Sequence, residues 1–247
     1  MGERLSGVER QETRLTTRPR LYHVAVPGFI HSRTFRCIWL FEELGVDDFE
    51  ICMLDPRKPY APQMRDYGVE HSHKIPTLQM DGQEISDSGV ISQLVAEKYQ
   101  SARRLIGLPE ERLEMLQWVA MAETCITFRV PLLPSLMTEG KSASELYSQA
   151  IVPMRQVFAG NVARFESHFE ERKTDYLLAS GFSVADTMCG WSLHTFHSWG
   201  IMDLGTGTSP RTLRYLERLR ARPGFENAEK YSEAAPGLYG RGCVPAS

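Results

Sequence analysis

The segment from Lys74 to Ser88 combines several features that favour ligand binding. It contains the run Lys-Ile-Pro-Thr-Leu, then an Asp-Gly pair, then Ser-Asp-Ser. A proline is rarely tolerated inside a strand, so Pro76 marks a strand start, and Asp-Gly is a strong hairpin signal. Backbone N–H groups lack partners at the start of a helix, and anions are favoured there. The segment therefore predicts a surface that presents backbone and small polar groups, including Asp87 and Ser88, to an anionic, peptide-like ligand.

A helix is predicted directly after this pair. Its apolar residues recur at helical spacing, with Asp87 or Ser88 at the N-cap position. These apolar residues are Val90, Ile91, Leu94, Val95 and Tyr99. An isolated Asp-Ser pair in this position often does no more than cap its helix. The strand and turn signals that precede the pair favour a role in ligand binding as well.

The residues before this segment predict a strand, a helix and a second strand. The strand covers Leu21–Val26, the helix runs from Ser32 to Gly45, and the second strand covers Phe49–Leu54. Ser32 stands where an N-cap belongs and Gly45 where a C-terminal glycine belongs. Four apolar residues of the helix are expected to face the sheet: Phe35, Ile38, Trp39 and Leu44. Strand, helix, strand, hairpin and helix in this order predict a thioredoxin-like domain.

The second half of the chain carries helix signals and almost no strand signals. Pro109 followed by two glutamates begins a helix, which Pro131 and Pro134 would stop. Further helices are predicted to start at the Ser142–Glu145 box, at the Ser183–Asp186 box and at Ser209-Pro210, the last of them ending at Pro223-Gly224. The predicted fold class is therefore α+β, with a thioredoxin-like domain at 21–100, a linker at 101–108 and an all-helical domain at 109–247. Residues 1–20 are predicted to form a disordered tail.

Composition excludes several functional classes. A net charge of −3 gives no reason to expect binding to nucleic acid or to an anionic membrane surface. No apolar run is long enough to span a bilayer, and residues 1–20 lack the apolar core of a secretory signal. The five cysteines are odd in number and show no Cys-x-x-Cys spacing, which favours a reducing compartment. We therefore expect a cytoplasmic protein.

The two motifs together resemble the glutathione transferases. Lys-Ile-Pro-Thr-Leu, a hairpin and Asp-Ser are similar to the glutathione-binding half of that family's first domain. The run Ser-Arg-Thr-Phe-Arg-x-x-Trp-Leu-x-Glu-Glu-Leu-Gly from Ser32 is similar to the first helix of bacterial and fungal members of the Ser type. Two positions depart from the family pattern, because His73 replaces the usual glycine before the lysine and Thr187 replaces an apolar residue after Asp186.

This resemblance implies glutathione as co-substrate and a role for each residue of the two motifs. Ile75, preceding a cis Pro76, would pair its backbone with the cysteinyl unit of glutathione. Asp87 and Ser88 would hold the γ-glutamyl end, and Lys74 would approach the glycyl carboxylate. Ser32 would donate its hydroxyl to the glutathione thiolate. From the local sequence alone, Ser32 is better explained as a plain N-cap serine.

Three functions remain open at this stage. The first is a glutathione transferase that conjugates glutathione to an apolar electrophile, in detoxification or secondary metabolism. The second is a glutathione-dependent isomerase or biosynthetic enzyme in which the thiol adds and then leaves. The third is a non-catalytic member of the fold that binds glutathione or another ligand. Thioredoxin-type disulfide exchange is disfavoured, because Ser32 and Phe35 stand where that chemistry needs cysteines.

The acceptor site and the assembly are expected from the family alone. Four residues are candidates by position for contact with an apolar acceptor: Met121, Cys125, Phe128 and Tyr239. Met and aromatic side chains suit an apolar electrophile. The resemblance implies a homodimer. No metal site is predicted, since His194 and His197 have no third ligand near them in the sequence.

Overall fold

The first domain is built on a four-stranded sheet. The computed structural model describes residues 18–24, 32–101, 103–127, 152–198, 200–202, 204–205 and 207–232. The strands are β1 (Arg20–His23), β2 (Glu50–Met53), β3 (Thr77–Met80) and β4 (Gln83–Ser86). They lie in the order β2-β1-β3-β4, with β1 parallel to β2 and antiparallel to β3. This arrangement confirms the predicted thioredoxin-like domain.

The described part of this domain also contains three helices: α1 (Thr34–Leu44), α2 (Tyr60–Arg65) and α3 (Ser88–Lys98). Helix α2 follows the second strand and was not predicted. The first strand begins one residue earlier than predicted, at Arg20, whose guanidinium pairs with Glu50 at 2.8 Å. Gly45 ends α1 in the left-handed conformation with φ 65°, as predicted, and its N–H bonds the carbonyl of Glu42.

Helix α1 is buried on almost every side because it lies between the sheet and the second domain. The two aromatic residues that were expected to face the sheet both contact the second domain. Trp39 packs against Phe182 and Phe225 of the second domain, and Phe35 also contacts Phe225. A helix covered on both sides has no single apolar stripe, so its spacing does not show which side faces the sheet.

The described part of the second domain is helical, as predicted. A 3₁₀ turn (Pro109–Glu111) leads into α4 (Arg112–Met121), which continues as a π-helical segment (Ala122–Thr127). The remaining helices are α5 (Val152–Arg172), α6 (Val184–Ser198), α7 (Pro210–Arg220) and α8 (Pro223–Ser232). One predicted boundary is wrong, because α7 ends at Arg220 and Pro223 begins another helix. The predicted stops at Pro131 and Pro134 and the Ser142–Glu145 box lie outside the described residues.

The Ser183–Asp186 box forms the structural centre of the second domain. Asp186 is fully buried, and its Oδ2 accepts hydrogen bonds from the N–H of Ser183 at 2.8 Å and from its hydroxyl at 3.0 Å. Its Oδ1 accepts from the N–H of Leu177 at 3.0 Å and from the hydroxyl of Tyr215 at 2.8 Å. Burial raises the pKa of Asp186 to about 6 even though these donors act to lower it.

Two buried polar connections between described residues join the domains. Glu43 of α1 is bonded in a bidentate manner by Arg222, with both distances 2.6 Å, and also by the Trp39 indole at 3.0 Å. A Cβ on Gly224 would lie 2.8 Å from the Glu43 carboxyl carbon, so this position has no space for a side chain. The second connection is made by Arg36. The orientation of α1 against the helical domain is therefore fixed by charge as well as by packing.

Helix α3 departs from its predicted apolar face. Ile91 and Val95 are buried, but Val90 is 47% exposed and Leu94 is 38% exposed. The buried face is instead completed by small residues, Ser88, Ser92 and Ala96. Close packing against α1 favours small side chains there, and the larger Val90 and Leu94 lie outside that contact.

The cysteines do not follow a single pattern. Cys37 and Cys189 are buried free thiols, and burial raises the pKa of the Cys37 thiol to about 12. Cys52 is disulfide-bonded, with a partner outside the described side chains. The scattered cysteines therefore do not fix the compartment by themselves. Among the described helices, none is both long enough and apolar enough to cross a membrane.

Candidate functional site

One edge of the sheet brings the predicted site residues together. Strand β1 runs towards this edge, where Tyr22 is paired with Thr77 at the start of β3. Thr77 is in turn paired with Ser86 at the end of β4. The residues that follow β1, precede β3 and follow β4 must therefore lie side by side. The same topology directs the N-terminal ends of α1 and α3 to this edge, and both ends carry partial positive charge.

Ser32 lies at this edge but is not the cap of α1. Arg33 occupies the N-cap position, and no side chain caps the helix. The Ser32 hydroxyl instead donates to Thr34 Oγ1 at 3.1 Å and lies 3.2 Å from His23 Nδ1. Ser32 is partly exposed, whereas His23 and Thr34 are fully buried. The predicted N-cap role is wrong, and the hydroxyl is directed to the end of β1.

The Ile75-Pro76 peptide bond is cis, as the family resemblance implied. The Ile75 side chain packs against the small cluster around Tyr22 on one side of the sheet. Within the described part of the chain, no hydrogen bond involves the Ile75 backbone. Its N–H and C=O are therefore available to pair with an extended ligand at the sheet edge.

The loop before Ile75 is held by a carboxylate on β4. Glu84 accepts hydrogen bonds from the backbone N–H groups of Glu70 at 2.7 Å, His71 at 2.9 Å and Ser72 at 3.1 Å. Partial burial acts to raise the pKa of Glu84, but the three backbone donors hold it below its ordinary value. The Thr77 hydroxyl also donates to the carbonyl of Lys74 at 2.8 Å. These bonds fix a loop that carries His73 instead of the family's glycine.

Lys74 and Asp87 both present charged groups that are not used within the described structure. Lys74 is exposed, and no ion pair involving it is formed by the described residues. Asp87 occupies the N-cap position of α3 with φ 70° and ψ 121°, yet its carboxylate makes no capping hydrogen bond. A non-glycine residue rarely adopts a positive φ. The predicted cap position is confirmed, but the carboxylate is exposed instead of bonding its own helix.

Ser88 is the first residue of α3 and is almost fully buried. Its hydroxyl accepts a hydrogen bond from Arg36 at 3.0 Å. The buried Arg36 guanidinium also bonds Ser192 at 2.8 Å and Glu123 at 2.5 Å, and stacks on Trp191 at 4.4 Å. Ser88 therefore also has a structural role that the sequence did not reveal, since it connects α3 to the arginine at the domain junction.

Several residues near the site were not predicted from the sequence. Glu123 of the π-helical segment pairs with both Arg36 and Arg33, at 3.2 Å for Arg33. In the sequence, His23 is an ordinary residue of a predicted buried strand and stands nine positions from Ser32. Glu84 is an ordinary polar residue of a strand. Arg36 is part of the motif that resembles the family, so the sequence indicated that this residue matters. It did not indicate which residues Arg36 contacts.

The predicted acceptor-site residues stay a prediction. Met121 is buried in the core. The side chains of Cys125, Phe128 and Tyr239 lie outside the described residues. Among the described residues, no three His, Cys, Asp or Glu side chains are grouped so as to hold a metal ion.

Comparison with known proteins agrees with the observed fold. The sequence profile of the glutathione S-transferase N-terminal domain matches residues 32–103. No curated protein matches the chain significantly in sequence. Many solved structures share its fold, among them the glutathione transferase of Methylococcus capsulatus, which is 23% identical with a TM-score of 0.63, the alignment covering 87% of this chain and 98% of that one.

Two further structures extend this likeness. The glutathione-S-transferase from Xylella fastidiosa is 18% identical with a TM-score of 0.70, and the alignment covers 87% of this chain and 98% of that one. A glutathione s-transferase from Methylobacillus flagellatus, solved with glutathione bound, is 19% identical with a TM-score of 0.64, covering 85% of this chain and 98% of that one. At such identities the likeness shows the fold and not the substrate.

Proposed function

We propose that this chain, whose residues 32–103 match the glutathione S-transferase N-terminal domain, binds glutathione at this sheet edge and transfers the thiolate to an apolar electrophile. The observation that carries this proposal is the gathering, at one edge, of polar groups that cap neither helix and take no part in the strand pairing. Ser32 and Asp87 each stand at a helix start without capping that helix. Ile75 precedes β3, which pairs with β1 on one side and with β4 on the other, so its backbone lies between the ends of those two strands.

Each predicted residue has a defined part in the proposal. The Ile75 backbone pairs with the cysteinyl unit of glutathione, and Pro76 fixes the turn that presents it. The exposed Asp87 carboxylate binds the γ-glutamyl ammonium. Ser88 and the N-terminal end of α3 bind the γ-glutamyl carboxylate. Lys74 pairs with the glycyl carboxylate from the exposed side.

Ser32 supplies the chemistry in this proposal. A free thiol has a pKa of about 8.5, and lowering it by about 2 units requires about 2.7 kcal/mol of preferential thiolate stabilisation. A hydrogen bond to a charged acceptor contributes about 1.5–3 kcal/mol. The N-terminal end of α1 adds about 0.3–1 kcal/mol. Together these terms amount to about 1.8–4 kcal/mol, a range that includes the required value of about 2.7 kcal/mol.

The proposed partners beyond glutathione are an apolar small-molecule electrophile and a second copy of the chain in a cytoplasmic homodimer. Val90 and Leu94 on α3 and Leu113 on α4 are exposed, the last by 69%. Arg112 bonds Glu97 at 2.6 Å beside them and so joins the two helices. Light scattering is expected to give a dimeric mass at micromolar concentration, and a monomeric mass would contradict this assembly.

The experiment for the proposed chemistry is the pH–rate profile of Ser32→Ala. Conjugation to a chlorodinitrobenzene-type acceptor is expected to fall roughly ten- to a hundredfold near neutral pH, because the bound thiol pKa rises by about one to two units. Activity should recover partly at higher pH, while affinity for glutathione stays nearly unchanged. Superimposable profiles for the two proteins would remove Ser32 from the mechanism. Measuring glutathione consumed against product formed distinguishes conjugation from isomerisation.

A further inference from the structure

The Ser32 hydroxyl has one proton and, among the residues that the structure describes, two close polar neighbours. It donates this proton to Thr34 Oγ1 at 3.1 Å, and it also lies 3.2 Å from His23 Nδ1. Since the proton is already used, the contact with His23 is a hydrogen bond only when His23 is the donor. We propose that His23 carries its proton on Nδ1 and acts as a positioning residue, donating to Ser32 Oγ and reserving the Ser32 proton for the thiolate.

The backbone around His23 holds the imidazole in a fixed place. His23 is the last residue of β1 and lies opposite Met53 in the parallel pair. Its carbonyl accepts a hydrogen bond from the N–H of Leu54 at 2.8 Å. The residue is fully buried. A donor on a strand between two neighbouring strands is more rigid than one on a loop, which suits the positioning of a single hydroxyl.

The tautomer of His23 decides where the Ser32 proton can point. With the proton on Nδ1, Ser32 Oγ accepts from His23, and its O–H can turn from Thr34 to the sulfur when glutathione binds. A hydroxyl that accepts one hydrogen bond is also a stronger donor in the next. With the proton on Nε2 instead, Nδ1 would be an acceptor that competes with the thiolate for the same proton.

This inference rests on the proposed function, and three variants separate the two. His23→Phe fills the site without a donor, whereas His23→Asn places an amide near the position of Nδ1 and can donate to Ser32. Ser32→Ala reports on the proposed function itself. His194→Phe is the matched control, since His194 is a buried histidine that packs against Phe225 in the second domain.

The readout is the pKa of the glutathione thiol bound to each variant, followed by the ultraviolet absorbance of the thiolate, together with the pH–rate profile. In His23→Phe we expect the thiol pKa to rise by about one unit and kcat at neutral pH to fall about tenfold, with KM for glutathione unchanged. His23→Asn should restore most of the loss, and His194→Phe should not shift the pKa. Adding His23→Phe to Ser32→Ala should have no further effect on the pKa.

Two results would overturn the role of His23. One is a thiol pKa that shifts in Ser32→Ala but not in His23→Phe, and the other is a loss in His23→Phe that His23→Asn does not restore. If Ser32→Ala itself leaves the thiol pKa unchanged, the proposed function fails first. Should the His23 variants not fold, nitrogen NMR of the imidazole in the wild-type protein decides, with a proton on Nδ1 expected and a proton on Nε2 contradicting the inference.

Discussion

The starts of helices α3 and α6 carry the same kinds of side chain in opposite states. At α6, the Ser183–Asp186 box is buried, and both carboxylate oxygens accept two hydrogen bonds each. At α3, Asp87 is exposed and its carboxylate caps nothing, although the residue stands in the N-cap position. A serine or aspartate at a helix start therefore has a structural role when its oxygens already take part in hydrogen bonds within the protein. It is available to a ligand when they do not.

This difference explains why the two regions serve different purposes. A buried carboxylate is tolerated only when donors surround it, so Asp186 can do little besides hold α6, α7 and the preceding loop together. An exposed carboxylate beside two helix N-termini keeps its capacity for a ligand. Ser32 resembles Asp87 in that it caps no helix, but its hydroxyl donates to Thr34 Oγ1 and lies 3.2 Å from His23 Nδ1.

The largest expected effect is that of Asp186→Ala on stability. Removing the carboxylate leaves buried donors on Ser183, Leu177 and Tyr215 without an acceptor, which costs about 3–5 kcal/mol by analogy with other broken buried networks. Chemical denaturation followed by circular dichroism measures the free energy of unfolding. Asp87→Ala is the matched control and should change it by less than about 0.5 kcal/mol. Equal losses in the two variants would refute the contrast.

We expect the free energy of unfolding to depend on pH because of Asp186. Its pKa is raised to about 6 in the folded protein, so between about pH 4 and pH 6 the folded chain keeps a proton that the unfolded chain has lost. This contribution to stability is therefore present at low pH and decreases as pH rises, by about 1.4 kcal/mol per unit. Comparing unfolding free energies of wild type and Asp186→Asn at several pH values isolates the slope. A difference that does not change with pH would contradict the raised pKa.

A smaller effect is expected for Glu84→Gln, which tests an occupied carboxylate inside the first domain. A glutamine cannot accept all three backbone donors, so one hydrogen bond is lost at a cost of about 1 kcal/mol. Because the loop leads to Lys74 and Ile75, calorimetry should also show weaker glutathione binding, by several-fold. Glu97→Gln, which removes only an exposed ion pair with Arg112, is the control. Unaltered binding in Glu84→Gln would show that the loop keeps its shape without this carboxylate.

The order of elements and several of their ends could be predicted from the sequence because local chemistry decides them. Gly45 ends α1 in a conformation that glycine adopts at little cost, and Ser183 and Asp186 stand at a spacing that allows reciprocal capping. Pro210 likewise begins α7 at the predicted residue. In each case the deciding contacts lie within one turn of the chain.

The rest depended on contacts between distant residues. Trp39 faces Phe225 and not the sheet, Leu94 lies outside the core, and Ser88 bonds an arginine from another helix. His23 and Ser32 lie close together because the chain between β1 and α1 brings the end of the strand beside the start of the helix. No rule on sequence spacing predicts this contact. The candidate site was therefore predicted residue by residue from family resemblance, while the side chains that contact those residues could be identified only from the fold.

The most direct test of the contrast is glutathione binding to wild type and Asp87→Ala, measured by titration calorimetry alongside the free energy of unfolding. If the Asp87 carboxylate is reserved for the γ-glutamyl end, affinity should fall at least about tenfold, since a charge-assisted hydrogen bond contributes about 1.5–3 kcal/mol. The stability of the variant should stay within about 0.5 kcal/mol of wild type. Unchanged affinity together with a loss of stability of about 1 kcal/mol would show instead that Asp87 only caps α3.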